Sequence, residues 1–497
     1  MIESSGAPEV LPELSAAAHN LDHKKLENAP YSHDGTHPGN LFFGYILRFM
    51  LNVGTSIIFR KFESDKIPQN PGGRISVATH INGLVDPSVM IKTQKKRIIS
   101  LGRHDLITGP VIGWWSRRNG AQPVLRKAEI EAGLTGPEFA RKINDRSMLT
   151  VANCLAGGHG AVIMPEGKSH QDSRLHALRT GPARAALVAA AIAKERGNPP
   201  PVVQPTGLHW KTHHWFRTNC YVEYAQPIKI NLVFDEKESV RLAAGEWIEP
   251  PSPAVHDLKE KMYNALSPLT PDSPNWETFR ALKLIANLEA NHNERPFTKL
   301  SEEVTATRSV RNKIRDNTKL QKIIPEAIEA AEILYLHDLD PSSIGQNQKL
   351  KTLDFQARFK GIIGLLIMFT SFIPTLLGSG LQSSLARYMA EKSDEGQDAR
   401  TTYFFLAGMF SPVFFWPLIS IFTVCFLGQN IFSLIGGLAI ILVILVFYLC
   451  SLIFLVGYDL WSDYKVAVTI GQLSKTESGK QLNILLENLN SKLGLLI

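Results

Sequence analysis

Cysteine is scarce in this 497-residue chain: only Cys154, Cys220, Cys425 and Cys450 occur, none in a C-x-x-C spacing, and the last two fall inside apolar runs. A disulfide framework and a cysteine-based zinc site are thereby excluded, and a reducing cytosol is the expected setting. No G-x-S-x-G elbow is present, which removes the usual serine nucleophile of an esterase. Internal repeats and low-complexity tracts are missing as well. Residues 1–38 mix charge, Pro, His and Gly without an apolar core. They read as neither a signal peptide nor an anchor, and a flexible or weakly packed tail is expected there.

Charge is nearly absent from three stretches, Gly361 to Leu385, Tyr403 to Asn430 and Ile431 to Tyr458. Each is long enough for a bilayer-crossing helix, so a membrane region over 361–460 with two or three helices is expected, followed by a tail, 461–497, with a short helix. Pro374 and the run Gly378, Ser379, Gly380 make the first stretch either a kinked span or a re-entrant hairpin. Lys and Arg flank it on both sides and do not choose between these. The re-entrant form, which puts every charged loop in the cytoplasm, is the preferred expectation. Lys and Arg exceed Asp and Glu by 53 to 46, and the excess lies outside these stretches. It suits anionic lipid or a phosphate-bearing substrate better than nucleic acid.

Leu41 to Phe62 is apolar but contains Arg48 and Asn52 and ends in basic residues. Arg near the centre of a span is costly, so a helix lying in the interface over 41–62 is expected, with a buried core helix as its rival. From about Arg74 to Ile230, short apolar runs such as RISVATH, GAVIMPEG and PVVQPTGL alternate with Ala-rich helical segments, which argues for an α/β layer structure. Between 231 and 360 the pattern becomes charged, helical and Pro-punctuated, a helical arm leading to the membrane.

The segment VATHINGLVDPSVM places His80 at the end of a strand and Asp86 six residues on, with Asn82 and Gly83 shaping the turn. An Asp so placed can fix the imidazole tautomer and stabilise its protonated form, as a general base acting on an alcohol requires. Alone, such a pair is usually a polar turn. Three further blocks follow in order: NGAQPVLR (Asn119 to Arg126), MPEGKSHQD (Met164 to Asp172) and VVQPTGL (Val202 to Leu208).

Together the four blocks resemble those of the membrane-bound glycerolipid acyltransferases, over roughly residues 40–230. Two departures stand out: five residues, not four, separate His80 from Asp86, and Lys168 and Ser169 replace a common Thr and Arg. Both are similar to the yeast-type glycerol-3-phosphate and dihydroxyacetone-phosphate acyltransferases, which GLHWKTHHWFRTNCYVEYAQPI, Gly207 to Ile228, also resembles. The resemblance implies an α/β acyltransferase domain over 39–230, with the interfacial helix, arm and membrane region around it. It implies His80 as base, Asp86 as its orienter, and Arg126, Glu166, Gly167 and Lys168 shaping the acceptor site, Arg126 by a bidentate fork to phosphate. Pro205 would shape the acyl side of the cleft. An acyl-CoA or acyl carrier protein thioester would serve as donor, with no cofactor and no metal. The acceptor would be glycerol 3-phosphate, or else lysophosphatidic acid; a non-catalytic membrane scaffold is the rival class.

Each residue keeps a plainer alternative: Arg126 as a surface cation near Glu129, Glu166 as a turn or cap carboxylate, Arg174 and Arg179 as solvated cations. His209, His213 and His214 lack a Cys or carboxylate partner at ligand spacing, so an aromatic, basic strip beside the membrane is expected there. Trp114 and Trp115, next to Arg117 and Arg118, suit the same interface or a packed core.

Overall fold

The computed structural model of the chain describes residues 14, 16–212, 216–392 and 397–492. The apolar runs expected to be extended form a sheet whose strands are β1 (Phe59–Ser64), β2 (Arg74–Val77), β3 (Ile98–Arg103), β4 (Gln122–Val124), β5 (Gly160–Ile163), β6 (Val202–Trp210), β7 (Thr218–Tyr224) and β8 (Ile228–Lys229). The order is β1-β7-β6-β2-β5-β3-β4, with β8 beside β6. Every pairing is parallel except β6 with β7 and with β8, so the α/β class follows directly. Strands β2 and β5 are buried along their whole length, as parallel strands covered on both faces must be. The Ala-rich helix Gly181–Glu195 lies against Pro137–Ala156 in the larger core, where its small side chains permit close packing.

The apolar segment after the tail is a helix only over Leu41–Ile58. The expected continuation to Phe62 is instead β1, because Phe59 is buried and stacks on Trp210 at 5.4 Å, and the strand pairs with β7. Phe42, Tyr45 and Phe49 are exposed on that helix, whereas Met50, Leu51 and Ile58 are buried against the sheet. Arg48, the costly residue of the sequence reading, turns its guanidinium to the carbonyls of Gln94, Lys95 and Lys96. Part of the expected flexible tail is docked: Leu26 is fully buried with Leu125, Ala140 and Ile143, and His37 packs edge-on against His159. Residues 1–13 and 15 lie outside the described residues.

Among the described residues, four helices are long and apolar enough to cross a membrane: Leu41–Ile58, Phe355–Lys392, Thr401–Phe426 and Leu434–Leu473. Phe355–Lys392 is one continuous helix through Pro374, so the re-entrant hairpin does not form. Its small residues explain why. A Cβ on Gly364 would sit 2.7 Å from the Gly457 carbonyl, and one on Gly378 2.7 Å from the Phe447 ring, so glycine lets Leu434–Leu473 approach along the whole length. Leu434–Leu473 runs past the expected boundary at residue 460, and Glu477–Lys492 buries Leu482 and Leu486 with Leu284, Ile314 and Leu334 of the arm. Arm and C-terminal segment therefore share one core. Two arginines tie this helix to the sheet, Arg217 to Asp459 (2.6 Å) and Arg60 to Asp463 (2.8 Å).

Candidate active site

Val77 at the end of β2 is level with Ile163 at the end of β5 and with Pro205 inside β6, so the first and third sequence blocks leave the sheet side by side, next to the fourth, which stays in the strand. The carboxyl edge of an open parallel sheet is where loops are free to build a site. Beyond β2 the chain turns through Gly83 at φ +45, a backbone angle that side chains resist, and enters the helix Val85–Thr93. Asp86 lies in the first turn of that helix, where the dipole favours an anion.

Asp86 is completely buried. Its Oδ2 accepts hydrogen bonds from the backbone N–H groups of Ile81 and Asn82, both at 2.7 Å, and lies 2.9 Å from Nδ1 of His80. Hydrogen bonds to a carboxylate contribute roughly 1.5–3 kcal/mol each, and this acceptor beside the ring favours the tautomer with the proton of His80 on Nδ1. Nε2 is then the basic nitrogen, and no hydrogen bond engages it among the described residues. The His80 side chain is 20% exposed, enough to meet a ligand while its carboxylate stays dry. Asn82 was read as a turn residue only. It is buried with neither atom of its side-chain amide paired.

Glu166 is the second organising carboxylate. Its Oε2 accepts from the Thr79 hydroxyl (2.9 Å) and the His80 N–H (3.1 Å), and its Oε1 accepts from the His176 N–H (2.7 Å) and His170 Nε2 (2.7 Å). Burial alone would raise this carboxyl; the hydrogen bond and charge of His170, with the donors of His176 and Thr79, outweigh it and hold the group below its ordinary value. Glu166 thus grips the backbone of His80 from the neighbouring strand. Gly167 follows at φ +77, and a Cβ there would come 3.2 Å from the Arg179 side chain. Lys168 is half-exposed, and no hydrogen bond or ion pair holds it among the described residues.

Arg126 stands apart from these groups. It follows β4, three strand spacings or roughly 14 Å from β2, and its Nε and Nη2 both donate to Oε1 of the buried Glu129 (2.9 and 2.6 Å). The expected fork is turned to a protein carboxylate, leaving Nη1 uncommitted. Arg174 donates to the carbonyls of Ser273 and Pro274, tying the third block to the arm.

Sequence reading missed the pair His170 and His176. Their rings stack at 3.8 Å and 6°, with His176 bonded to Asp172. Nitrogen and carboxylate atoms of His170, Asp172 and His176 lie within 4.8 Å of one another. A metal must sit in the plane of each imidazole it ligates, however, and two parallel stacked planes share no such point; the geometry suits hydrogen-bonded scaffolding. His209 is paired with Glu223 at 2.8 Å, while His213 and His214 lie outside the described residues. Trp114 and Trp115 divide the two readings between them, Trp114 exposed under Arg118 and Trp115 buried against Phe43.

A buried Asp, an imidazole with a free nitrogen and a bracing Glu thus meet at the carboxyl edge of a parallel sheet, the arrangement that general-base chemistry requires. Residues 60–207 match the family model described as Acyltransferase, and this stretch of the chain is an acyltransferase domain. The chain is 26% identical over 280 residues to glycerol-3-phosphate O-acyltransferase 2 of Saccharomyces cerevisiae, covering 54% of this chain and 35% of that protein. It is 30% identical over 86 residues to the 1-acyl-sn-glycerol-3-phosphate acyltransferase of Streptococcus pneumoniae, covering 17% and 33%. The matches thus span about a third of the length of these curated relatives. A 1-acyl-sn-glycerophosphate acyltransferase from Thermotoga maritima overlaps 45% of this chain and 80% of its own at 14% identity, with a TM-score of 0.27, too loose to place any residue.

Proposed function

We propose that the chain is an integral-membrane O-acyltransferase that moves a fatty acyl group from acyl-CoA or acyl carrier protein to the hydroxyl of glycerol 3-phosphate, with its α/β domain at the cytoplasmic face. The observation that carries this reading is the His80–Asp86 pair, in which one nitrogen is fixed by a buried carboxylate and the other is free. Nε2 of His80 removes the proton of the acceptor hydroxyl as its oxygen attacks the thioester carbonyl. The tetrahedral intermediate collapses with cleavage of the carbon–sulfur bond, and the departing thiolate takes the proton from the imidazolium. Ester and thiol are formed, and no acyl-enzyme is needed. Glu166 positions the His80 backbone, and Lys168 is the uncommitted cation for the acceptor phosphate, with Nη1 of Arg126 as a more distant one. The four apolar helices support the membrane assignment.

The S. cerevisiae relative favours glycerol 3-phosphate as acceptor, and the S. pneumoniae relative favours the second reading, lysophosphatidic acid. The test is incorporation of radiolabelled glycerol 3-phosphate into lipid by membranes carrying the wild-type chain or His80→Ala, with palmitoyl-CoA and palmitoyl-acyl carrier protein as separate donors. Label in lysophosphatidic acid that vanishes in the variant is the expected result. Activity on lysophosphatidic acid alone moves the assignment to the second reading, and silence with both acceptors and both donors leaves the scaffold.

A further inference from the structure

Beside the site, a cavity of about 220 Å³ opens between the sheet and the arm. Ile81 and Gln171 are among its lining residues, the first a neighbour of His80 and the second part of the third block. These two are bonded, Gln171 Nε2 to the Ile81 carbonyl at 2.9 Å, and the arm is bonded to them by Trp276 Nε1 donating to the Gln171 carbonyl at 2.5 Å. Most of the wall comes from the arm: Trp276, Phe279, Val304, Leu334, Tyr335 and Leu339 all line it, and all lie beyond the stretch that matches the family model.

The cavity also has five cationic side chains, which would suit a polyphosphate if they were available. They are not. Lys211 pairs with Asp340 (3.0 Å), Lys283 with Glu303 (2.9 Å), Arg280 with Glu332 (2.7 Å) and Arg308 with Glu223 (2.7 Å), and Arg311 donates to the carbonyls of Thr270 (2.9 Å) and Pro271 (3.2 Å). Breaking such pairs to receive a phosphate leaves a carboxylate unpaired at low dielectric, which costs several kcal/mol. What a ligand meets is therefore the alkyl and aromatic surface between the pairs. The volume points the same way, since pockets for whole drug-sized ligands run to roughly 300–1,000 Å³. There is room for a length of single apolar chain and none for a nucleotide carrier as well.

We infer that this cavity receives the distal part of the fatty acyl chain of the donor, so that the arm sets the chain length the enzyme accepts. The inference rests on the acyl-transfer reading above, and it gives the arm a role in specificity. Each methylene removed from water contributes enough that excluding two of them changes a rate ratio roughly tenfold. Val304 is half-buried on the wall, so Val304→Phe fills the space and Val304→Ala widens it without touching His80 or Glu166.

With purified full-length protein in detergent, the ratio of transfer rates for palmitoyl-CoA over decanoyl-CoA should fall roughly tenfold in Val304→Phe and move the opposite way in Val304→Ala. A ratio unchanged in both folded variants overturns the inference. Independently, palmitoyl-CoA carrying a photoreactive diazirine near the chain terminus should label wild-type peptides within 276–341 or the adjoining wall at 208–212; labelling confined to peptides that do not line the cavity overturns it. Labelling of that segment in a chain that transfers no acyl group would sustain the cavity assignment while removing the proposed reaction.

Discussion

Two histidine–carboxylate pairs have nearly equal spacing, His80–Asp86 at 2.9 Å just beyond the end of β2 and His209–Glu223 at 2.8 Å across β6 and β7, and only the first leaves an imidazole nitrogen free among the described residues. In the first, the carboxylate takes Nδ1 and finds its remaining donors in the backbone, so no cation neutralises it and Nε2 faces outward. In the second, Glu223 takes Nε2 and is clamped by both guanidinium nitrogens of Arg308. Burial raises the Glu223 carboxyl, but the bonds from His209 and Arg308 prevail and bring it to about 2; burial lowers the imidazole of His209. The pair at β6–β7 is a structural joint between sheet and arm. Separation alone does not make a catalytic dyad; the nitrogen left over does.

That contrast can be broken most forcefully at His80. His80→Ala should lower acyl transfer by about 10³-fold, within the range expected for a positioned general base, while thermal unfolding stays within about 2 °C of wild type; loss of fold together with activity would make the site a structural turn instead. Next in size is Glu166→Gln, which replaces an acceptor of four hydrogen bonds by an amide that must present N–H groups to donors. A destabilisation of about 2–4 kcal/mol by denaturant titration is expected.

Glu223→Gln should cost about 2 kcal/mol of stability and leave kcat unchanged, the reverse of the His80 variant. Since the folded carboxyl lies near 2 and its ordinary value is 4.5, the unfolded chain binds this proton first. Stability from Glu223 is thus fully present above pH 4.5 and drains away as pH falls through about 2, and the variant's stability curve should be flatter across that window. Smallest is Lys168→Ala: KM for the phosphate-bearing acceptor should rise about tenfold with kcat nearly constant, as loss of a binding cation predicts. An unchanged KM would shift the phosphate to the Nη1 side of Arg126.

The strand–helix alternation was legible because buried parallel strands read as short apolar runs, and the three runs quoted each carry a strand. His80, Asp86, Glu166 and Gly167 gather where the blocks leave β2 and β5, since motif residues at strand ends converge once the strands are neighbours. What pairing does to a residue was not legible. For Arg126 the sequence offered both a phosphate and Glu129, a partner three positions on and therefore within one helical turn, and nothing in NGAQPVLR chose the second, which the structure shows. The docking of Leu26 was equally hidden, because one apolar residue among polar ones gives no periodicity to read. Phe59 to Phe62 misled by composition: an apolar run continues across the junction where helix becomes edge strand. The small residues around Gly378 were taken as a break, yet without a neighbouring helix in view a glycine that permits contact looks the same as one that ends a helix.

The N–H of Leu84, inside the turn that carries His80 and Asp86, donates to the Thr402 hydroxyl at 3.2 Å. Thr402 is the second residue of the apolar segment Thr401–Phe426. For a chain embedded through that segment, the altitude of the reacting hydroxyl is fixed by the place where hydrocarbon gives way to headgroups, to within about one helical turn, ~5 Å. A glycerol backbone already resting at that level would need no lift out of the leaflet to be acylated, and a bilayer of different thickness would leave this alignment untouched, because it is referenced to one surface and not to both.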